Sequence, residues 1–272
     1  MTGYVFSPQS ASTEAKLPTI VMAHGWGGTQ RGLRRDAAAL ARAGYLAVTF
    51  DYRGWGESDS RVILTKPAPD HTAVTFKAEV QAVRGVVDPL DMGTDWLNAL
   101  HWVQGEPQCD TDKLGVWGSS MSGGYVVYAA AHDPRVKAVH SQVTGLLNGR
   151  TWGQSPAART EATQRARSEL GYPAPGTKMG GLTGAPITPR FANYLPSDDI
   201  LRNDKVALQF VLAENEEYGG NPASMSTYEQ HKGPKNLVVI PGIGHYDIYR
   251  DAWQQSHELA LSWFDKHLKG KR

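Results

Sequence analysis

Short apolar runs alternate along the chain with longer stretches whose apolar positions recur every three or four residues. Leu17 to Ala23, Tyr45 to Asp51, Lys113 to Trp117, Arg135 to Val143, Val206 to Ala213 and Asn236 to Ile240 have strand length. Their largely unbroken apolarity predicts strands covered on both faces. Between them, Gly32 to Ala43 sets Leu33, Ala37, Leu40 and Ala41 at helical spacing, and Met92 to Val103 does so with Trp96, Leu97, Leu100 and Val103. Trp253 to Leu268 predicts a closing helix. This alternation predicts an α/β fold, a mostly parallel sheet flanked by helices on both faces.

Two stretches break the pattern. Arg61 to Pro89 is mixed and polar, and predicts a long excursion with one helix. Leu147 to Lys205 gathers Pro173, Pro175, Pro186, Pro189 and Pro196 with several glycines around a helix predicted from Ala157 to Leu170. So long an insertion in an α/β unit is usually functional, such as a lid over a site. The expected organisation is a core of residues 1–146 and 206–272 with a lid at 147–205.

Composition narrows the function classes. With 272 residues, 40% hydrophobic, the chain can bury a substantial core, and a formal net charge of +1 gives no reason to expect nucleic acid or an acidic membrane surface. The one cysteine, Cys109, rules out an intrachain disulfide and falls in a predicted loop. Met1 to Pro8 lacks the basic and apolar regions of a signal peptide, and no apolar run approaches transmembrane length, so a soluble, cytoplasmic protein is expected.

Candidate chemistry begins at Gly118-Ser119-Ser120-Met121-Ser122-Gly123, small residues between a strand and a helix. The spacing fits a nucleophile elbow with Ser120 at its apex, where the strained turn excludes bulk two residues to either side. Ser122 stands where glycine is commoner. A serine hydroxyl needs a base, and the base an acid to orient it; on such a fold the chain order is serine, acid, histidine. Glu214-Asn215-Glu216-Glu217 follows the strand ending at Ala213, and His245 follows the last strand, so all three groups fall at carboxyl ends of strands. Glu216 suits a loop turning back toward His245; Glu217 and Glu214 are the alternatives. Asp247 is too close in sequence to reach the His245 ring. An oxyanion needs two N–H donors. Met121 follows the nucleophile, and Trp26 lies in His24-Gly25-Trp26-Gly27-Gly28 after the first predicted strand. The Trp26 indole either walls an acyl pocket or packs under the lid. His24 reads as structural.

These segments resemble the α/β-hydrolase superfamily, above all its dienelactone-hydrolase-like and bacterial serine-esterase-type members. The resemblance is carried by the His24 to Gly28 loop, Asp51-Tyr52-Arg53-Gly54-Trp55-Gly56-Glu57-Ser58, the elbow, and Gly244-His245-Tyr246-Asp247-Ile248-Tyr249. It covers nearly the whole chain outside 147–205. It implies the α/β-hydrolase fold with a lid insertion after the sixth strand, and a serine hydrolase cleaving a small-molecule carboxylic ester without metal or cofactor. Ser120, His245 and Glu216 would be its triad. The same residues serve lactones, thioesters, X-Pro peptides and ring-fission products on this scaffold, and a binding protein that has lost turnover is the reading from another class. Two features depart from the pattern. The acid is Glu where Asp is commoner. The chain also starts at the usual second strand, so the sheet is expected to lack its antiparallel opening strand. Such an open edge would leave room for a homodimer.

Overall fold

The structure, a computed structural model, describes residues 1–271. Among these, seven strands form the central sheet: β1 (Gly3–Phe6), β2 (Leu17–Ala23), β3 (Leu46–Phe50), β4 (Cys109–Ser119), β5 (Val136–Gln142), β6 (Ala207–Asn215) and β7 (Lys235–Gly244). Their order is β1-β3-β2-β4-β5-β6-β7, and every pairing is parallel except that of β1 with β3. The unbroken apolar runs are the strands covered on both faces. Alternate residues serve opposite sides, as strand pleating requires. Ile20 and Met22 of β2 pack under α1 (Arg34–Arg42) and the C-terminal helix Trp253–Leu268. Val21 and Ala23 face α2 (Pro89–Gln104) and α3 (Met121–His132). Asp88 fixes the start of α2 by accepting hydrogen bonds from the Leu90 and Asp91 N–H groups, with Pro89 in the first turn. Among the described residues no helix is long and apolar enough to cross a membrane.

Three expectations need correction. The sheet does have an antiparallel opening strand: β1 pairs with β3 from Gly3 opposite Phe50 to Phe6 opposite Ala47. Its residues alternate between exposed and half-buried, which left no apolar run to recognise. The stretch before Pro89 contains no helix but a two-stranded ribbon, Arg61–Leu64 against Val80–Val83, where branched side chains favour extended backbone. Cys109 is not in a loop; it opens β4 and is buried.

Residues 147–205 divide in two. Phe191 and Tyr194 are wholly buried, with Tyr194 packed on Tyr125 and Tyr128 of α3, so this half of the insertion belongs to the core. Ala185–Pro186 bridges Val86–Val87 in parallel, and Arg190 reaches Asp88 at 2.6 Å. The predicted helix is Pro156–Ala166. What overhangs the sheet's carboxyl edge is the hairpin Lys178–Met179 with Leu182–Thr183.

His140 on β5 is wholly buried, its Nδ1 2.7 Å from Gln209 Oε1 and its Nε2 3.3 Å from Gln142 Oε1. Burial lowers its pKa to about 4, and the two side-chain hydrogen bonds offset only part of that penalty. In the unfolded chain a histidine protonates near pH 6.5. Between those values the unfolded state binds more protons, so stability present above pH 6.5 is lost as pH falls toward 4. The expected loss from this residue is about 3 kcal/mol at pH 4. Urea midpoints at pH 7 and pH 4 should therefore converge for His140→Gln relative to the parent protein.

Candidate active site

The register of the sheet brings the candidate groups together. Gly118 lies opposite Ala23 of β2 and Ser119 opposite Gln142 of β5, so His24 and Ser120 leave adjacent strands at the same edge. A bulge after Ala213 sets Asn215 of β6 opposite Gly244 of β7. Glu216 and His245 are the next residues of the two strands, and emerge side by side. His245 Nδ1 lies 2.8 and 2.9 Å from the two carboxylate oxygens of Glu216, and its Nε2 lies 3.0 Å from Ser120 Oγ. The side chains of His245 and Glu216 are only 5% and 2% exposed, so little water competes with their hydrogen bond.

Ser120 has φ +56° and ψ −122°, a conformation costly for any residue with a side chain. The neighbours enforce it. A Cβ at Gly118 would overlap the Ser122 carbonyl, and one at Gly123 would come within 2.9 Å of Thr144 Cα. Ser120 N–H donates to Gln142 O at 3.0 Å, which pins the turn to β5. Its hydroxyl is thereby held before the first turn of α3, whose N–H groups have no partners within the helix. Met121 supplies the first of them.

Ser122, the departure from glycine, has a use that the sequence did not disclose. Its hydroxyl donates to His24 O at 2.5 Å and meets Tyr52 Oη at 2.6 Å, and Trp96 Nε1 donates to the same phenol at 2.8 Å. This buried relay ties the start of the His24 to Gly28 loop to α3. Asp51 holds the loop's far end, its carboxylate accepting from Gln30 N at 2.7 Å and from Glu57 N at 2.9 Å. His24 is buried beside Tyr52, its Nδ1 2.9 Å from Gly25 O, and burial lowers its pKa. Its Nε2 lies 3.4 Å from Asp51 Oδ1. The Trp26 indole lines the cavity and donates to Gly184 O of the insertion at 3.3 Å.

The other acids near His245 bind backbone. Glu217 accepts from His245 N at 2.8 Å, Glu214 from Gly242 N at 2.7 Å, and Asp247 from Gly244 N at 2.8 Å. The hydrogen bond from His245 N holds the exposed Glu217 carboxyl below the usual carboxylate range. These three carboxylates mould the loop that carries the ring, and only Glu216 meets the ring itself.

A cavity of about 470 Å³ opens over Ser120, walled by Trp26, Leu146, Met179, Leu182, Tyr218 and Tyr246 among others. Tyr218 and Tyr246 flank the His245 ring edge-on, with centroids 4.7 and 5.2 Å away. Among the described residues no cluster of three His, Cys, Asp or Glu side chains is arranged to hold a metal ion.

The pattern of the X-Pro dipeptidyl-peptidase (S15) family matches residues 2–154, more than half the chain. The chain belongs to that family. This S15 member is a hydrolase of the α/β-hydrolase superfamily. The match includes the elbow and the His24 to Gly28 loop and ends before Glu216 and His245. An uncharacterized 31.7 kDa protein of the traX-finO intergenic region of Escherichia coli is 25% identical, over 93% of this chain and 92% of its own length. The quorum-quenching protein AidA of Acinetobacter baumannii is 32% identical over 52% of this chain and 39% of its own. The α/β hydrolase GrgF of Penicillium sp. sh18 superposes with a TM-score of 0.73, covering 98% of this chain and 99% of GrgF at 16% identity, and shows the shared fold.

Proposed function

We propose that this S15-family hydrolase cleaves carboxylic esters of small molecules through an acyl-enzyme, with Ser120, His245 and Glu216 as its triad. One observation carries the reading: a buried imidazole spans the 3.0 Å to Ser120 Oγ and the 2.8 Å to Glu216 at once. Ser120 Oγ bonds to the carbonyl carbon as its proton passes to His245 Nε2. Glu216, on the other ring nitrogen, stabilises the imidazolium. The carbonyl oxygen becomes an oxyanion facing the N–H groups of Met121 and Trp26. When the tetrahedral centre collapses, the bond to the alcohol oxygen breaks and His245 returns its proton to that alcohol. Water repeats the sequence, giving its proton to His245 and releasing the acid. Residues 178–183, which reach over the cavity with Met179 and Leu182, act as the lid. The apolar walls favour an apolar acyl or alcohol group.

A second reading, cleavage of a peptide after proline, takes support from the family match on residues 2–154. The same triad would serve, with an amine as leaving group. A fluorophosphonate probe followed by peptide mapping, with a panel of p-nitrophenyl esters, a lactone, a thioester and an X-Pro p-nitroanilide, tests both. The proposal expects a tag on Ser120, absent after His245→Ala, and turnover of esters. Saturable turnover of the anilide alone favours the second reading, and a tag elsewhere defeats both.

A further inference from the structure

One carboxyl group in the cavity has no part in the chemistry just described. Asp36, in the first turn of α1, lines the same cavity as Ser120, amid Leu33, Trp117 and Tyr249. Its Oδ1 accepts from Trp253 Nε1 at 2.7 Å. Among the described residues no hydrogen bond reaches Oδ2. Arg35, the adjacent cation, does not neutralise it by contact, because its guanidinium lies over the Trp253 ring at 3.4 Å from the centroid. Trp253 thus holds one carboxylate oxygen and leaves the other without a hydrogen bond among the described residues.

Tyr249 lines the same cavity; its Oη accepts from Ser119 Oγ at 2.7 Å, and Ser119 accepts in turn from Gln142 Nε2 at 3.1 Å. With its oxygen engaged as acceptor, the phenol keeps its own proton to donate. Burial pushes this phenol's pKa up, with smaller contributions from Tyr246, Glu216 and Asp36. The cavity over Ser120 is therefore lined by both a carboxylate acceptor and a phenolic donor.

We propose that Asp36 is a specificity-determining residue, selecting substrates that carry a hydrogen-bond-donating group, hydroxyl or ammonium, away from the scissile carbonyl. The inference rests on the ester-hydrolase reading of Ser120. A hydroxyl donates to Asp36 Oδ2 and can accept from Tyr249; an ammonium pairs with the carboxylate directly. Plain alkyl groups leave the ionised oxygen desolvated and unpaired, which weakens their binding. Burial already pushes the Asp36 pKa up to about 6, with the Trp253 hydrogen bond and Arg35 opposing it, so ionising this group works against folding. A carboxyl with only a structural task has no need of that cost, since an amide there accepts from Trp253 equally well.

The test compares Asp36→Asn with the parent protein at pH 8. Substrates are p-nitrophenyl hexanoate with its ω-hydroxy and ω-amino counterparts, and hexyl acetate with its ω-hydroxy and ω-amino counterparts. The proposal expects the preference for a donor-bearing substrate over its alkyl parent, as a ratio of kcat/KM, to fall about tenfold or more in at least one series. The two substituents separate the sources, since a fall confined to the amino compounds identifies an ammonium ligand. Melting temperature should hold or rise. Ratios within about threefold of the parent's in both series overturn the proposal while leaving the hydrolase reading intact. Should the parent protein cleave none of the esters, the ester-hydrolase reading fails and the proposal with it. If Asp36→Asn does not fold, Asp36→Ser is measured in the same way.

Discussion

Ser120→Ala is expected to lower kcat for p-nitrophenyl esters by about 10⁶. Circular dichroism and melting temperature should remain those of the parent. The size follows from the proposed mechanism, in which no acyl-enzyme forms without Oγ and only binding and the oxyanion donors remain. His245→Ala should cost a similar factor, because the hydroxyl then has no base, and the double variant should be hardly slower than either single one. Stability supplies an independent check on the elbow. At φ +56° a Cβ is strained, so Ser120→Gly should be as inactive as Ser120→Ala yet more stable by about 1 kcal/mol. Residual activity in Ser120→Ala within about a hundredfold of the parent's would remove Ser120 from the mechanism.

The parts of the site legible in the sequence were those that steric necessity writes into residue type. Gly118 and Gly123 have no room for a Cβ, and a strained turn between strand and helix follows from that alone. Strands sealed on both faces leave unbroken apolar runs, so β2 to β6 could be placed within a few residues. Ends of runs are less telling. β6 runs on to Asn215 and β7 to Gly244, past the apolar stretches, because hydrogen bonding continues after burial stops. It is this polar extension, with its bulge after Ala213, that selects Glu216 over its neighbours, and nothing in composition reports a bulge. β1 and the ribbon of Arg61–Leu64 with Val80–Val83 escaped notice for the same reason: edge strands half in water lack the contrast on which pattern reading depends. Ser122, Tyr52 and Trp96 are far apart in sequence, and their relay exists only through the crossing of α2, α3 and the loop after β3. Asp36 had no mark at all, being one acid among helix-face charges until α1 turns it toward the cavity.

The identity of the acid decides the second large effect. Glu216→Gln is expected to lower kcat by about 10³ to 10⁴ with little change in KM, and Glu217→Gln and Glu214→Gln to stay within about tenfold of the parent. All three changes remove one charge from the end of β6 and the loop after it, which binds the loop of His245, so a general electrostatic influence on the ring would show in each. Geometry separates them. In Glu216→Gln the ring keeps a neutral acceptor at Nδ1 but loses the charge that, in the proposed mechanism, stabilises imidazolium while Ser120 attacks. In Glu217→Gln the amide oxygen can still accept from His245 N, so the loop keeps its shape and the ring its partner. Reach gives a further discrimination. Glu216 follows Asn215, which is locked opposite Gly244, so its backbone cannot advance to compensate for a shorter side chain. Glu216→Asp should therefore retain the charge yet lose about tenfold to a hundredfold in kcat, intermediate between parent and glutamine variant. Equal losses in Glu216→Gln and Glu217→Gln would mean that the carboxylate acts through the loop's shape, and the hydrogen bond at Nδ1 would have no separate share in the rate.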